Sequence, residues 1–390
     1  MKLFQIMPCR LQGYKATLDG YNQTDKYLVS YNDVCNGGSD ILTPSGIADH
    51  LGSFLYIPFL SEKLALSIDI IASLFFIGYG LICFLIAIFF FNKVKMNFKN
   101  KIYGNLSILT LFLINIFISD TYSFYGLTAL ALIPIWYYIF ANDYKSKTRD
   151  IIIYSVISGI FIAFSETVRG QSGLFIIICI FIFYFFASKE KKTLKIISVF
   201  ILLIPLILSK YFFNSIIQER NIFFDNKPKL LTELKERDIA VRNVRSVWHN
   251  AYFGLGFLSI EKKDFPKNND TYAVNKAKEL NPNIISFTKD YENLLMKEYF
   301  KFIKDYPLHF IKSLFAKLGV IFMYILLFFN FGILKLNKYK FDEKIIFFFM
   351  PGILLNSLLG FAAEPDYSYL LGMFTFTSLT SVYLLEKKTK

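Results

Sequence analysis

The sequence predicts an all-α polytopic membrane protein of about nine transmembrane helices, with one large external loop between the sixth and the seventh. Three observations predict it. The composition is too apolar for a soluble domain, nine apolar runs are spaced along the chain, and Lys and Arg are divided sharply between alternate connections. Of 390 residues 54% are hydrophobic and 19% charged, with 45 Phe and 25 Tyr; soluble domains carry roughly 45–50% apolar and about 25% charged residues. The mean hydropathy is +0.43. Such a balance excludes collagen, coiled coil, intrinsic disorder and a disulfide-rich secreted scaffold. The net charge of +13 does not indicate a nucleic-acid partner, because the lysines sit in short clusters between apolar runs, where they act as topology signals.

Residues 1–62 form an external N-terminal segment. They lack a basic start followed by an apolar stretch, so no cleavable signal peptide is expected. An external N-terminus ordinarily follows a signal or a span. Either the first run inserts as a reverse anchor or the protein's start lies upstream, and the second is the preferred expectation. A helix needs about 20 mainly apolar residues to cross the ~30 Å hydrocarbon core. Runs near that length cover 64–91, 103–118, 126–141, 151–168, 173–188 and 195–214, which makes 63–214 a block of six helices. Runs at 309–334, 345–363 and 369–385 place three more helices and a cytoplasmic tail in 309–390. The shorter runs allow a break or re-entrant turn near the outer surface.

Orientation follows from the short connections, since Lys and Arg stay preferentially on the cytoplasmic side. The clusters around Lys93, Lys145, Lys189, Lys335 and Lys387 hold eighteen Lys and Arg, whereas the alternate short turns hold one, Arg169. The C-terminus is therefore expected inside and the N-terminal segment outside. Residues 215–308 are then the external loop domain. Their 16 Lys and Arg against 13 Asp and Glu do not oppose this, because long loops translocate largely regardless of charge. Leu230, Leu231, Leu234 and Ile239 predict a helix in the loop's middle. Residues 285–302 predict a second, amphipathic helix suited to the membrane interface.

Four cysteines show no metal-ligand spacing. Cys83 and Cys179 lie inside apolar runs and read as small core residues, while Cys9 and Cys35 can pair if their segment is extracytoplasmic.

Chemistry-bearing side chains gather in the external turns: Asp120, Glu166 with Arg169, and Glu364 with Asp366 and Tyr367. Solvated helix ends are the plain alternative for each. Arginine sharpens the choice, because the chain has seven Arg against 36 Lys, and Arg presents a planar fork matched to phosphate oxygens. Arg169, Arg242 and Arg245 are therefore phosphate or carboxylate ligands in this reading, with Arg169 the strongest. Ion pairing inside the loop better explains Arg237. Lys317 lies deeper than a snorkelling lysine needs to, which suits a headgroup-level cavity and an anionic lipid phosphate. The stretch Trp248-His249 to Tyr252 and Gly254-Leu255-Gly256 concentrates rare residues, with one of three His and one of two Trp. It fits sugar recognition, and equally a packed aromatic anchor at the membrane interface.

At these residues the chain resembles bacterial integral-membrane glycosyltransferases of the GT-C type. The long external loop with Trp248-His249, Tyr252, Gly254-Leu255-Gly256 and then Asp270 with Tyr272 carries the resemblance. So do the turn Glu364-Pro365-Asp366-Tyr367 and the break around Arg169. The family places its key acid in a first external loop after a first transmembrane helix, and that helix is absent here. If the start lies upstream, Asp19, Asp25, Asp33, Asp40, Asp49 and Glu62 are the acids of that loop, and Asp40 and Asp49, chosen for their nearness to the first span and to His50, are the candidate catalytic bases.

The resemblance implies a polyprenyl-phosphate-linked sugar donor and a glycan, lipid or protein acceptor. It implies an active face outside a bacterial cytoplasmic (inner) membrane, in contact with membrane lipid. A carboxylate would deprotonate the acceptor hydroxyl, and Arg169, Arg242, Arg245 or Lys317 would neutralise the leaving phosphate. A divalent metal on Asp120 could share that role, although no ligand spacing demands a cofactor. A surface-polysaccharide (O-antigen) polymerase is the alternative, since Arg245 to Gly256 has the Arg-x10-Gly spacing of those enzymes. A lipid or glycan transporter ranks third, because the span centres are almost uncharged and no internal repeat is present.

Overall fold

A computed structural model describes residues 8–33, 41–45, 51–94, 96–118, 120–141, 148–186, 192–226, 247–258, 265–284, 286, 288–329 and 343–384. These residues form fourteen α-helices, one 3-10 turn and one two-stranded hairpin, so the all-α class holds. The predicted loop helix around Leu230 lies outside the described residues.

The N-terminal segment is a folded layer. It comprises α1 (Pro8–Thr24), an antiparallel hairpin of β1 (Val29–Tyr31) and β2 (Leu42–Pro44), and α2 (Leu51–Leu64). Thr17, Ser30 and Ser45 form a buried hydroxyl cluster at 2.6 to 3.1 Å that ties α1 to the hairpin. Gly20 lies against the Val29 carbonyl, so a Cβ there would collide with backbone.

Within the described residues each predicted apolar run is a helix. The first six are α3 (Ile68–Lys93), α4 (Phe98–Ile118), α5 (Ser123–Ala141), α6 (Thr148–Val168), α7 (Leu174–Phe186) and α8 (Lys192–Asp225). The last three are α12 (Pro307–Phe329), α13 (Glu343–Ala362) and α14 (Tyr367–Leu384). Among the described residues four of them, α3, α6, α8 and α12, are long and apolar enough to cross a membrane, which marks an integral membrane protein. Their outward faces carry large apolar side chains such as Leu85, Ile160, Phe200 and Phe315.

The centre of the bundle is built differently. Helices α5 and α14 are buried nearly all round, from Phe124 to Trp136 and from Leu370 to Leu384, as expected of helices with no polar face. Hydroxyls in α14 are made tolerable by local bonds: Thr375, Thr377 and Thr380 donate to the carbonyls four residues earlier.

Several element ends differ from the sequence expectation, and two of the differences have a visible cause. Helix α3 begins at Ile68 because α2 ends in a turn with Ala65 at positive φ. Helix α8 continues past residue 214 to Asp225, since Phe213, Ile216, Arg220 and Phe224 supply a buried stripe and Phe224 packs on Val29 of the hairpin.

Between α8 and α12 a small cap is built from α9 (Val247–Gly254) with its 3-10 extension, α10 (Asp270–Leu280) and α11 (Lys289–Asp305). Its own core gathers Tyr252, Phe253, Leu255, Phe265, Tyr291 and Phe302.

Candidate functional site

The short turns without lysine meet at the end of the bundle that carries the cap, and α1 lies among them. There Arg10 of α1 forms an ion pair with Asp120 in the α4–α5 turn. Its Nη1 also donates to Thr121 Oγ1 at 2.7 Å. Asp120 Oδ1 accepts the Thr121 amide at 2.5 Å. Asp120 Oδ2 is buried and accepts no hydrogen bond among the described residues.

Arg169 reaches the same place from the α6–α7 turn and is only 5% exposed. Its Nε donates to Tyr125 Oη at 3.0 Å, and its guanidinium stands over the Tyr122 ring at 4.1 Å. The Arg10 guanidinium lies 5.8 Å from the same ring, and Tyr369 of α14 meets Tyr122 edge-on at 5.3 Å. Burial presses the Arg10 guanidinium below its usual range; nearby Tyr14, Tyr122 and Tyr369 oppose the shift, and Arg169 adds to it. Both groups remain charged at any physiological pH. Burial also pushes the Tyr14 phenol up to about 12, with Arg10 opposing.

The loop that delivers Arg169 is shaped by Glu166. Its carboxylate accepts the amides of Gln171 (3.1 Å), Gly173 (2.9 Å) and Leu174 (2.7 Å), which caps the start of α7. Gln171 sits at φ 74°, a conformation that costs an L-residue roughly 1–2 kcal/mol. Ser165 and Ser172 are hydrogen-bonded across the turn, and Ser165 also bonds Thr128. Arg169 is thus held by a rigid loop, and Glu166 serves the loop rather than an open surface.

A second cluster joins the cap to the bundle. Lys317 of α12 is buried and donates to the carbonyls of Phe361 (3.2 Å), Ala362 (3.4 Å) and Ala363 (2.7 Å), the C-terminal end of α13. A cation there satisfies orphan carbonyls and complements the helix dipole. Glu364 bonds Asn268 of the cap. Asp366 caps α14 by accepting from Ser368 N (2.8 Å) and Oγ (2.5 Å), and Tyr367 is exposed.

The Trp248 to Gly256 stretch is packed into the cap. His249 is buried with Nδ1 2.6 Å from Tyr291 Oη, Tyr252 is buried, and Trp248 is half-buried against Tyr299 and Phe300. Glu292 caps α9 by accepting the amides of Trp248 (2.7 Å) and His249 (3.3 Å). Gly254 touches the end of α13 and Gly256 the backbone of 266–268, so both glycines serve close backbone approach.

Of the sequence candidates, the structure brings Asp120 and Arg169 together. Lys317 and Glu364 belong to the cap junction. Asp40, Asp49, Arg242 and Arg245 lie outside the described residues. No group of three metal-ligating side chains occurs among the described residues, and Asp120 has Arg10 for its counter-charge. Arg10 itself was missed. The usable signal was the scarcity of Arg, which applies to the N-terminal segment as much as to the loop. Cys9, next to it, is disulfide-bonded, Cys83 and Cys179 are free, and the expected partner Cys35 lies outside the described residues.

Compared with known proteins, the chain matches no family model, no curated protein and no solved structure.

Proposed function

We propose that the protein is a membrane glycosyltransferase that moves a sugar from a polyprenyl-phosphate donor to an extracytoplasmic glycan, lipid or protein acceptor. One observation carries this reading: two arginines from elements far apart in sequence, Arg10 and Arg169, converge on the Tyr122 ring beside a buried carboxylate at the end of a membrane bundle. Planar guanidinium groups backed by phenol rings suit the phosphate of a donor whose chain lies among the helices. In this reading they stabilise the charge that builds on the departing phosphate as the acceptor oxygen attacks the anomeric carbon. The acceptor's proton passes to a carboxylate. Asp120, whose Oδ2 has no hydrogen-bond partner among the described residues, is one candidate for that carboxylate, and Asp40 and Asp49 are the sequence's own candidates. The disulfide at Cys9 favours an oxidising compartment for this face, a bacterial inner membrane's outer side.

The test compares, by mass spectrometry, the cell-surface glycans of the host with and without the gene and with Arg169→Ala. Loss of one sugar or branch at unchanged chain length supports the proposal, and full activity of Arg169→Ala sinks the phosphate role. Collapse to single repeat units would mean a polymerase. Unchanged glycans would favour transport.

A further inference from the structure

The cap carries a surface that the glycosyl-transfer reading does not use. Among the described residues helix α11 packs chiefly on α9, and also on α10 and on α12, to which only Tyr306 joins it. Its inner face is spent on the cap core through Tyr291, Leu295 and Phe302. On its outer side Phe300 is 55% exposed and lies 5.5 Å from the half-buried Trp248, while Val247 is exposed at the start of α9. Tyr299 bridges Trp248 (5.6 Å) and Phe310 of α12 (6.2 Å). This apolar edge runs on through Leu308 and Ile311 to Phe315, part of the outward face of a helix long enough to span a membrane. Lys297, Lys301, Lys304 and Lys312 are exposed beside it, against Glu298 and Asp305.

An aromatic pair at the level where a spanning helix begins, ringed by lysines, has the composition of a membrane–water interface. We infer that α11 and the start of α9 rest on the bilayer surface around α12, with Trp248 and Phe300 at headgroup depth and the lysines on anionic phospholipid headgroups. The occupant is lipid because the edge is continuous with the lipid-facing side of α12 and its cations complement anionic headgroups. This contact holds the cap at a fixed height over the bundle end, whatever reaction occurs there.

The chain has two tryptophans, and Trp136 is fully buried at the centre of the bundle. The full-length protein is reconstituted in phosphatidylcholine bilayers containing the same small fraction of chain-brominated phosphatidylglycerol or brominated phosphatidylcholine. Subtracting the emission of Trp248→Phe isolates Trp248, so no variant at the core Trp136 is needed. In a parallel preparation made wholly of brominated phosphatidylcholine, Trp248 is expected to lose a large part of its emission, its ring lying at headgroup level. Brominated phosphatidylglycerol should quench more than phosphatidylcholine at equal fraction, a difference lost in Lys297→Glu,Lys301→Glu,Lys304→Glu. Emission insensitive to bromine overturns the proposal. If Trp248 is then also shielded from aqueous iodide, another protein or a second copy covers the edge. Equal quenching by the two lipids overturns the anionic headgroup as partner.

Discussion

Arg10 and Asp120 form a buried ion pair that fastens the N-terminal layer to the α4–α5 turn, with side chains 11% and 3% exposed. Removing one partner of such a pair leaves the other charge buried, which costs about 3–5 kcal/mol, far more than losing a surface bridge. Arg10→Ala should therefore lower the thermal midpoint in detergent by several degrees. The double variant Arg10→Ala,Asp120→Ala should lie well above the sum of the single effects. A single variant as mild as a surface substitution, within about 0.5 kcal/mol, would remove the pair from the account of this site.

Glu166 makes a separable prediction, since its three bonds go to backbone amides at the start of α7. Glu166→Ala should cost about 1–2 kcal/mol, the scale of a lost helix cap, and Glu166→Gln less, because an amide oxygen still accepts. Thermal unfolding reads this directly. Loss of the proposed transfer activity in Glu166→Gln at an unchanged midpoint would show a role beyond capping.

What could be read from the sequence divides along physical lines. Helices driven by burial of long apolar runs were legible, so all nine runs correspond to helices, and the turns with Asp120 and Arg169 meet at one end. Residues such as Arg10 and Glu292 were not legible. Their roles depend on tertiary partners, Asp120 in one case and the α9 amides in the other, and no local periodicity encodes such pairings. The Trp248 to Gly256 stretch stood out by composition, yet composition does not distinguish sugar contact from packing. In the structure His249 and Tyr252 face the cap's interior. The two strands escaped notice because each is only three residues long.

The glycines give a paired test of packing. A Cβ at Gly254 would stand 2.6 Å from the Ala362 carbonyl and 3.0 Å from Lys317 Nζ, whereas at Gly319 nothing lies within 4 Å. Gly254→Ala should destabilise the cap junction by about 1–3 kcal/mol, the scale of overpacking. Gly319→Ala, inside α12, should stabilise by roughly 0.5–1 kcal/mol through helix propensity. Limited proteolysis between α9 and α10 separates them: faster cleavage in Gly254→Ala alone is the expected outcome, and equal rates would mean that the glycine contact does not hold the cap.

Glu292 makes cap stability depend on pH. Burial raises its carboxyl above the ordinary glutamate range, while the amides of Trp248, His249 and Val247 and the charge of His249 oppose the rise. A carboxyl with a raised folded value binds its proton more tightly in the native state. Its contribution is therefore complete below the unfolded value and is lost as pH rises through the folded one. Glu292→Gln keeps an acceptor for the two α9 amides but cannot titrate. Acidification from about pH 8 to about pH 5 should therefore raise the stability of the wild type relative to Glu292→Gln, where stability is differential proton binding. Unfolding of the cap, followed by Trp248 emission at a series of pH values, measures the difference. A difference that stays flat, or that reverses, would mean that the native cap holds Glu292 ionised without penalty, and the capping carboxylate would then lie in a more solvated place than its burial indicates.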